Sequence, residues 1–110
     1  MIEEILTKTQ LEEFNEALQK ANRAAQKYSD IEDGGAINFD SCVIKIKALK
    51  KLRELTDFKL RKVGAGSWRG YWYIDFPTSG QGHRLTKMAE AAAESLIAQG
   101  YNAKVYYQLD

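Results

Sequence analysis

The sequence has very few of the residues that form disulfides or zinc sites. In 110 residues it contains one cysteine (Cys42), one histidine (His83) and one proline (Pro77). A single cysteine cannot form an internal disulfide, and one cysteine with one histidine is too few for a zinc site. We therefore expect an apolar core without a metal or other cofactor, in which Cys42 is a small buried residue.

Long apolar runs are also missing. No run approaches the roughly 20 apolar residues that cross a bilayer. The first ten residues, MIEEILTKTQ, have neither the basic region nor the apolar stretch of a secretory signal. We therefore expect a soluble cytoplasmic protein. A length of 110 residues with 45% hydrophobic content predicts one globular domain with a modest core.

Charge of one sign has little excess overall, but the two signs are segregated along the chain. The net charge is +1. Residues 1–40 contain four Lys/Arg and nine Asp/Glu, residues 41–87 contain eleven and three, and residues 88–110 contain one and three. The basic middle segment indicates either a polyanionic partner or an internal pairing of acidic and basic surfaces.

An amphipathic helix is predicted near the start of the chain, over residues 10–28. Thr9-Gln10-Leu11-Glu12 matches a capping box, which predicts the helix start. The apolar residues that follow are spaced by three and four and form one stripe: Leu11, Phe14, Leu18, Ala21, Ala25 and Tyr28. The stripe is too short for a coiled coil, so we expect it to pack on the domain. A glycine-rich linker follows, which makes residues 1–35 a helix with its linker and residues 36–110 the remainder of one globular domain.

The remainder of the chain predicts the element order βαββαβ. The predicted elements are a strand over 41–47, a short helix over 49–55, a hairpin of strands 58–63 and 69–76 around the turn 64–67, a helix over 84–99 capped by Gly100, and a strand over 103–108. Two right-handed crossover units split around a hairpin form a ferredoxin-like plait. We therefore expect an α+β fold with a four-stranded antiparallel sheet, both crossover helices on one face, and an extra N-terminal helix.

The strand at residues 69–76, RGYWYIDF, has aromatic residues on both faces. Alternation places Gly70, Trp72, Ile74 and Phe76 on one face, which we assign to the core, and the two tyrosines on the other. The neighbouring strands add cations and a further tyrosine to the second face. Its candidate binding residues are Lys45, Lys47, Lys59, Arg61, Arg69, Tyr71, Tyr73 and Tyr106, with Gln108 beside them.

RGYWYIDF resembles the longer signature of the RNA-recognition-motif family, Lys/Arg-Gly-Phe/Tyr-Gly/Ala-Phe-Val-x-Phe/Tyr. Arg69, Gly70, Tyr71 and Phe76 match it, and Trp72 departs from it. The shorter signature is echoed by residues 44–49 (IKIKAL), where a lysine replaces the stacking aromatic residue. The resemblance implies a βαββαβ fold that binds single-stranded RNA on its open sheet face. The large Trp72 side chain is expected to fill space left by the alanines of the helix at 84–99.

Three interpretations of the tyrosine-bearing face remain open at this level. Unstacked bases can stack on the rings, at about 1 to 3 kcal/mol per base, while lysines contact phosphates. The apolar stripe of the N-terminal helix can instead cover the face, which makes Tyr71 and Tyr73 a second core layer. The face can also be a docking surface for a protein.

A second candidate site is the glycine-rich loop before the helix at 84–99. Free backbone amides at a helix N-terminus can hold an anion such as phosphate. The candidate anion-binding residues are Ser79, Gly80, Gly82, Arg84 and Lys87. The loop lacks the Gly-Lys-Ser/Thr ending of a phosphate loop, and a plain strand-to-helix turn has the same composition.

The residues that carry catalysis in enzymes do not form a recognisable set in this chain. His83 has no evident serine or cysteine nucleophile beside it, and no pair of carboxylates shares a site. We therefore expect a non-enzymatic binding protein.

Two partners fit such a protein: single-stranded RNA or DNA, or a nucleic-acid-binding protein complex. The small size and the closing run at residues 100–108, GYNAKVYYQ, resemble small accessory proteins of bacteriophages and mobile elements. This resemblance implies stoichiometric inhibition of a host protein or defence complex, as by anti-CRISPR proteins. Neither hypothesis involves a membrane, and both leave the oligomeric state open.

Overall fold

A computed structural model describes residues 2–30, 40–48, 56–64, 66–77 and 83–107 of the chain. The short helix predicted over 49–55 lies outside these residues. So do Ser79, Gly80 and Gly82 of the candidate anion-binding loop, and Gln108 of the tyrosine-bearing face.

The described residues form an α+β fold with two α-helices and a four-stranded antiparallel sheet, which confirms the predicted class. The elements in chain order are β1 (Glu4–Ile5), α1 (Lys8–Gln26), β2 (Ser41–Lys45), β3 (Lys47–Ala48), β4 (Leu60–Lys62), a 3₁₀ turn (Gly66–Trp68), β5 (Tyr71–Ile74), α2 (His83–Ala98) and β6 (Ala103–Tyr106). None of the described helices is long and apolar enough to pass through a bilayer.

The main sheet has the strand order β4-β5-β2-β6, and every neighbouring pair is antiparallel. In the central register, Val43 on β2 lies opposite Tyr73 on β5 and opposite Lys104 on β6. Tyr73 in turn lies opposite Arg61 on β4. Because directly paired residues share a face, these four residues form one row across the sheet.

Helix α1 begins two residues before the predicted start. The Thr7 hydroxyl oxygen accepts a hydrogen bond from the Gln10 backbone N–H at 3.1 Å, and the Gln10 side-chain oxygen accepts one from the Thr7 backbone N–H at 3.0 Å. The predicted capping box at Thr9 and Glu12 is therefore wrong. Glutamine at the third helical position serves as well as glutamate, so Thr7 with Gln10 forms the same capping box two residues earlier.

The predicted apolar stripe of α1 is buried as far as Ala25. It packs against α2 and against one face of the main sheet. Phe14 and Leu18 from α1, Leu96 from α2 and Ile44 from β2 belong to this core and are all almost fully buried. The interpretation in which α1 covers the tyrosine-bearing face is therefore wrong for the described residues, because α1 lies on the opposite face beside α2.

The predicted strand over 41–47 is divided in two. Strand β2 ends at Lys45, and Lys47 with Ala48 forms β3, which pairs in parallel with β1. The Lys47 backbone N–H donates to the Glu3 carbonyl at 2.7 Å. The N-terminal segment thus supplies a partner that removes Lys47 from the main sheet, and two-residue β1 carries too little periodicity to be recognised in the sequence.

The end of α2 is capped as predicted by Gly100. This residue has φ +95°, a left-handed conformation that favours glycine. The Gly100 N–H donates to the Ile97 carbonyl at 3.0 Å, and the Tyr101 N–H donates to the Leu96 carbonyl at 3.0 Å. These bonds satisfy the last carbonyls of the helix and direct the chain into β6.

Candidate functional site

The main sheet has one face covered by α1 and α2 and a second face that carries aromatic side chains. Trp72 and Ile74 of β5 pack with the helices, whereas Tyr71 and Tyr73 lie on the other side, as the alternation predicted. We call this second side the tyrosine face. Its packed cluster consists of Val43, Val63, Trp68, Tyr71, Tyr73 and Tyr106.

The rings of the tyrosine face pack against one another in edge-to-face or tilted pairs. Trp68 lies 5.0 Å from Tyr71 and 5.0 Å from Tyr106 between ring centroids, and Tyr73 lies 5.7 Å from Tyr106. Tyr71 is the most buried ring, with 8% of its surface exposed. Trp68, Tyr73 and Tyr106 are half-buried and therefore present the accessible aromatic surface.

Trp68 comes from the connection between β4 and β5 and was missed at the sequence level. That connection contains a 3₁₀ turn, after which Gly70 adopts φ +86° and the chain enters β5. The turn places the indole against Tyr71 on β5 and Tyr106 on β6. Because β2 lies between β5 and β6 in the sheet, the indole lies across β2. A tryptophan beside turn glycines, between strands with aromatic residues, is the signal that could have identified it.

Arg61 and Asp75 form a bidentate ion pair at the β4 edge of the tyrosine face. Arg61 Nε lies 2.8 and 3.0 Å from the two Asp75 carboxylate oxygens, and Nη2 lies 2.8 Å from Oδ1. The guanidinium carbon lies over the Tyr73 ring, 5.0 Å from its centroid. The hydrogen bond to Asp75 raises the pKa of Arg61, although partial burial opposes this.

Desolvation raises the pKa of the Tyr73 phenol, and the neighbouring Tyr106 adds to this effect while Arg61 opposes it. The ordinary value of a tyrosine is about 10. Tyr73 is therefore neutral at physiological pH and presents an uncharged ring beside the guanidinium.

Two lysines border the aromatic rings. Lys104 Nζ lies 5.8 Å from the Tyr71 ring centroid. Lys45 is exposed at the end of β2, opposite Tyr71, and its side chain lies along Gly70. Lys104 was not among the sequence candidates, although its position two residues before Tyr106 places it on the same face.

The remaining sequence candidates divide between the face and its surroundings. Lys59 is exposed just before β4, and strand alternation places it on the same side as Arg61. Arg69 is exposed in the turn that precedes β5. Lys47 belongs to the two-stranded β1–β3 sheet. The structure thus brings Lys45, Arg61 and the three tyrosines together, and it adds Trp68 and Lys104.

The start of α2, where an anion site was predicted, faces a carboxylate of the chain itself. Asp40 is buried, and its carboxylate accepts a hydrogen bond from the Thr86 hydroxyl at 2.7 Å. Arg84 is half-buried in the first turn, and Lys87 lies 3.8 Å from Glu90. The Thr86 hydroxyl in the first turn of α2 is thus bound to a carboxylate of the chain itself.

A cleft of about 170 Å³ lies between the helices and the end of the main sheet. Its polar lining is Asp40, Ser41, Cys42, Arg61 and Asp75. Burial raises the pKa of the Cys42 thiol to about 12, so the sulfur is protonated and a poor nucleophile near neutral pH. The interpretation of Cys42 as a buried apolar residue is confirmed. No cluster of potential metal ligands occurs among the residues that the structure describes.

Comparison with known proteins gives no matching family model, no matching curated protein and no matching solved structure.

Proposed function

We propose that this chain is a non-enzymatic binding protein that holds single-stranded RNA or DNA on the tyrosine face of a ferredoxin-like plait. The strand order supports the plait. In that fold the first and third strands are central neighbours, while the second and fourth form the edges. Counted within the main sheet, β2 and β5 are the first and third strands, and β4 and β6 are the edges.

The observation that carries this proposal is the separation of the two sheet faces. Both described helices pack on one face, and aromatic rings with cations occupy the other. Half-buried rings offer surface to unstacked bases, at about 1 to 3 kcal/mol per stacked base. Lys104 Nζ lies 5.8 Å from the Tyr71 ring centroid, and Lys45 is paired directly opposite Tyr71 on β2. Both cations are therefore placed beside the rings, where phosphates that connect stacked bases would pass.

The test is a titration of a labelled single-stranded oligonucleotide of mixed sequence at several salt concentrations. A binder of this kind loses affinity linearly on a log–log plot against salt, with a slope of about −0.7 for each neutralised phosphate. Tyr73→Ala and Tyr106→Ala should each weaken binding by about 1 to 3 kcal/mol. Tyr28→Ala is the matched control, because Tyr28 is exposed just beyond α1 and lies outside the tyrosine face.

The alternative function is stoichiometric inhibition of a nucleic-acid-binding protein complex. The cluster of Trp68, Tyr73, Tyr106 and Arg61 favours it, because tryptophan, tyrosine and arginine dominate the energetics of protein interfaces. The absence of oligonucleotide binding at low salt would reject the first proposal. Retrieval of a nucleic-acid-binding protein by the wild-type chain, but not by Tyr106→Ala, would then support the second.

A further inference from the structure

Arg61 differs from the other cations of the tyrosine face in the contacts of its guanidinium group. One side of its guanidinium group faces the Tyr73 ring, and its Nε and Nη2 atoms are both bound to Asp75. About half of the side chain remains exposed, at 52%. The guanidinium group is therefore contacted from two directions, while about half of the side chain remains open to solvent.

The register of the β4–β5 hairpin creates this arrangement. Arg61 and Tyr73 are directly opposite each other, and Asp75 lies two residues beyond Tyr73 on the same face. The Asp75 backbone N–H donates to the Lys59 carbonyl at 3.0 Å, which extends the pairing beyond the end of β5 to the residue before β4. This backbone bond holds Asp75 beside β4, the strand that carries its ion-pair partner Arg61.

The ion pair changes what Arg61 can offer to a ligand. Two parallel hydrogen bonds fix the plane of a guanidinium group and neutralise much of its charge toward a phosphate. A guanidinium group that cannot swing freely retains its flat surface, and bases stack on such surfaces as they do on aromatic rings. Purines present the larger π surface and gain more from stacking than pyrimidines.

We infer that Asp75 is a positioning residue. It holds the Arg61 guanidinium group over Tyr73 as a flat surface on which an unpaired purine base stacks. The inference rests on the proposed function, and it deepens that function by naming the preferred ligand as a single strand with a purine at the β4 edge of the face. Lys45 and Lys104 then contact phosphates, and Arg61 contacts a base.

The experiment uses oligothymidylate strands in which one thymine at a time is replaced by adenine. Their affinities are measured for the wild-type chain and for Arg61→Lys and Asp75→Asn. We expect the wild-type chain to gain at least about threefold in affinity when adenine occupies one particular position. Both variants should lose that gain. Arg61→Lys loses it because a lysine ammonium group has no planar surface, and Asp75→Asn loses it because the guanidinium group is no longer held in one orientation.

The salt dependence of binding distinguishes base stacking by Arg61 from a purely electrostatic contact between Arg61 and a phosphate. Arg61→Lys keeps the charge, so its salt slope should equal that of the wild type. Asp75→Asn frees Arg61 for a phosphate, so its slope should become steeper by about 0.7. The matched controls are Arg23→Lys and Asp30→Asn, at exposed positions in and just after α1, which should retain both the adenine gain and the wild-type slope.

A side-chain NMR signal gives a readout without nucleic acid. The Arg61 Nε–H proton should exchange slowly with solvent in the wild type and rapidly in Asp75→Asn. If the wild-type chain shows no adenine gain, or if either variant retains it, the inference is overturned while the proposed function stands. If the wild-type chain binds no strand at low salt, the proposed function is overturned and the inference with it.

Discussion

Trp68 packs against Tyr106 with ring centroids 5.0 Å apart, although the two residues lie on segments separated by α2. Trp68 is in the β4–β5 connection, and Tyr106 is on the edge strand at the opposite side of the main sheet. The contact joins the tip of the hairpin to the far edge. It also explains why Val43, on the strand between them, is fully buried on a face without a helix among the described residues.

Trp68→Ala should therefore destabilise the fold. The indole is half-buried, so we expect a loss of about 1 to 3 kcal/mol in the free energy of unfolding, below the range for a fully buried tryptophan. Urea unfolding followed by circular dichroism measures it. Trp72 remains as a fluorescence reporter in this variant. It is on the helix side of the sheet, where its indole N–H donates to the Ile46 carbonyl at 3.2 Å.

Trp68→Phe provides the control for this measurement. A smaller ring retains part of the contact with Tyr71 and Tyr106, so this variant should be more stable than Trp68→Ala. Equal stability of Trp68→Ala and the wild type would show that the indole does not pack on the face.

The two-residue periodicity of the strands was the most informative signal in the sequence. It assigned Trp72 and Ile74 to one face and the two tyrosines of β5 to the other, because successive side chains on a strand must alternate. The same rule identifies Lys104 once Tyr106 is assigned. These local patterns were sufficient to predict the strands of the main sheet and the composition of most of the tyrosine face.

The features that the sequence did not predict depend on long-range packing. The stripe of α1 fits either face of a sheet, and only the contact with α2 selects the one it occupies. Strand β1 is two residues long and is stable because β3 lies beside it. Trp68 follows turn glycines, and its location over the sheet is set by Tyr106 on a distant strand.

The start of α1 can be tested with two threonine variants. Thr7→Ala removes the oxygen that accepts from the Gln10 N–H, so it should cost about 1 kcal/mol in the free energy of unfolding. Thr9→Ala is the matched control at an exposed helical position, and it should change stability by less than about 0.5 kcal/mol. Thermal unfolding of both variants measures the difference. A larger cost for Thr9→Ala would place the cap where the sequence pattern first suggested.

Alkaline pH should destabilise the protein through Cys42. Burial raises the pKa of the folded thiol to about 12, from an ordinary value of 9.0. The unfolded chain therefore loses its proton first as the pH rises. The stability linked to Cys42 is fully present below about pH 9 and is lost between there and about pH 12.

The comparison of wild type with Cys42→Ala isolates this effect. Desolvation also raises the pKa of Tyr101, but that contribution is common to both proteins. Between pH 9 and pH 10 the wild type should lose about 1 kcal/mol more than Cys42→Ala in denaturant unfolding. Parallel curves for the two proteins would show that the thiol is accessible to solvent in the folded state.

The position of α1 predicts that its core can be weakened without changing the tyrosine face. Leu18 is fully buried on the helix side of the sheet, so Leu18→Ala should cost about 2 to 5 kcal/mol through lost burial and the cavity that remains. Lys20→Ala, at an exposed position on the same helix, should change stability by less than about 0.5 kcal/mol. At a temperature where Leu18→Ala is still folded, its affinity for the oligonucleotide should match that of the wild type, because the cavity lies on the opposite side from the rings. A folded Leu18→Ala variant with lost affinity would show that α1 takes part in binding, and an undiminished stability would show that α1 does not pack on the sheet.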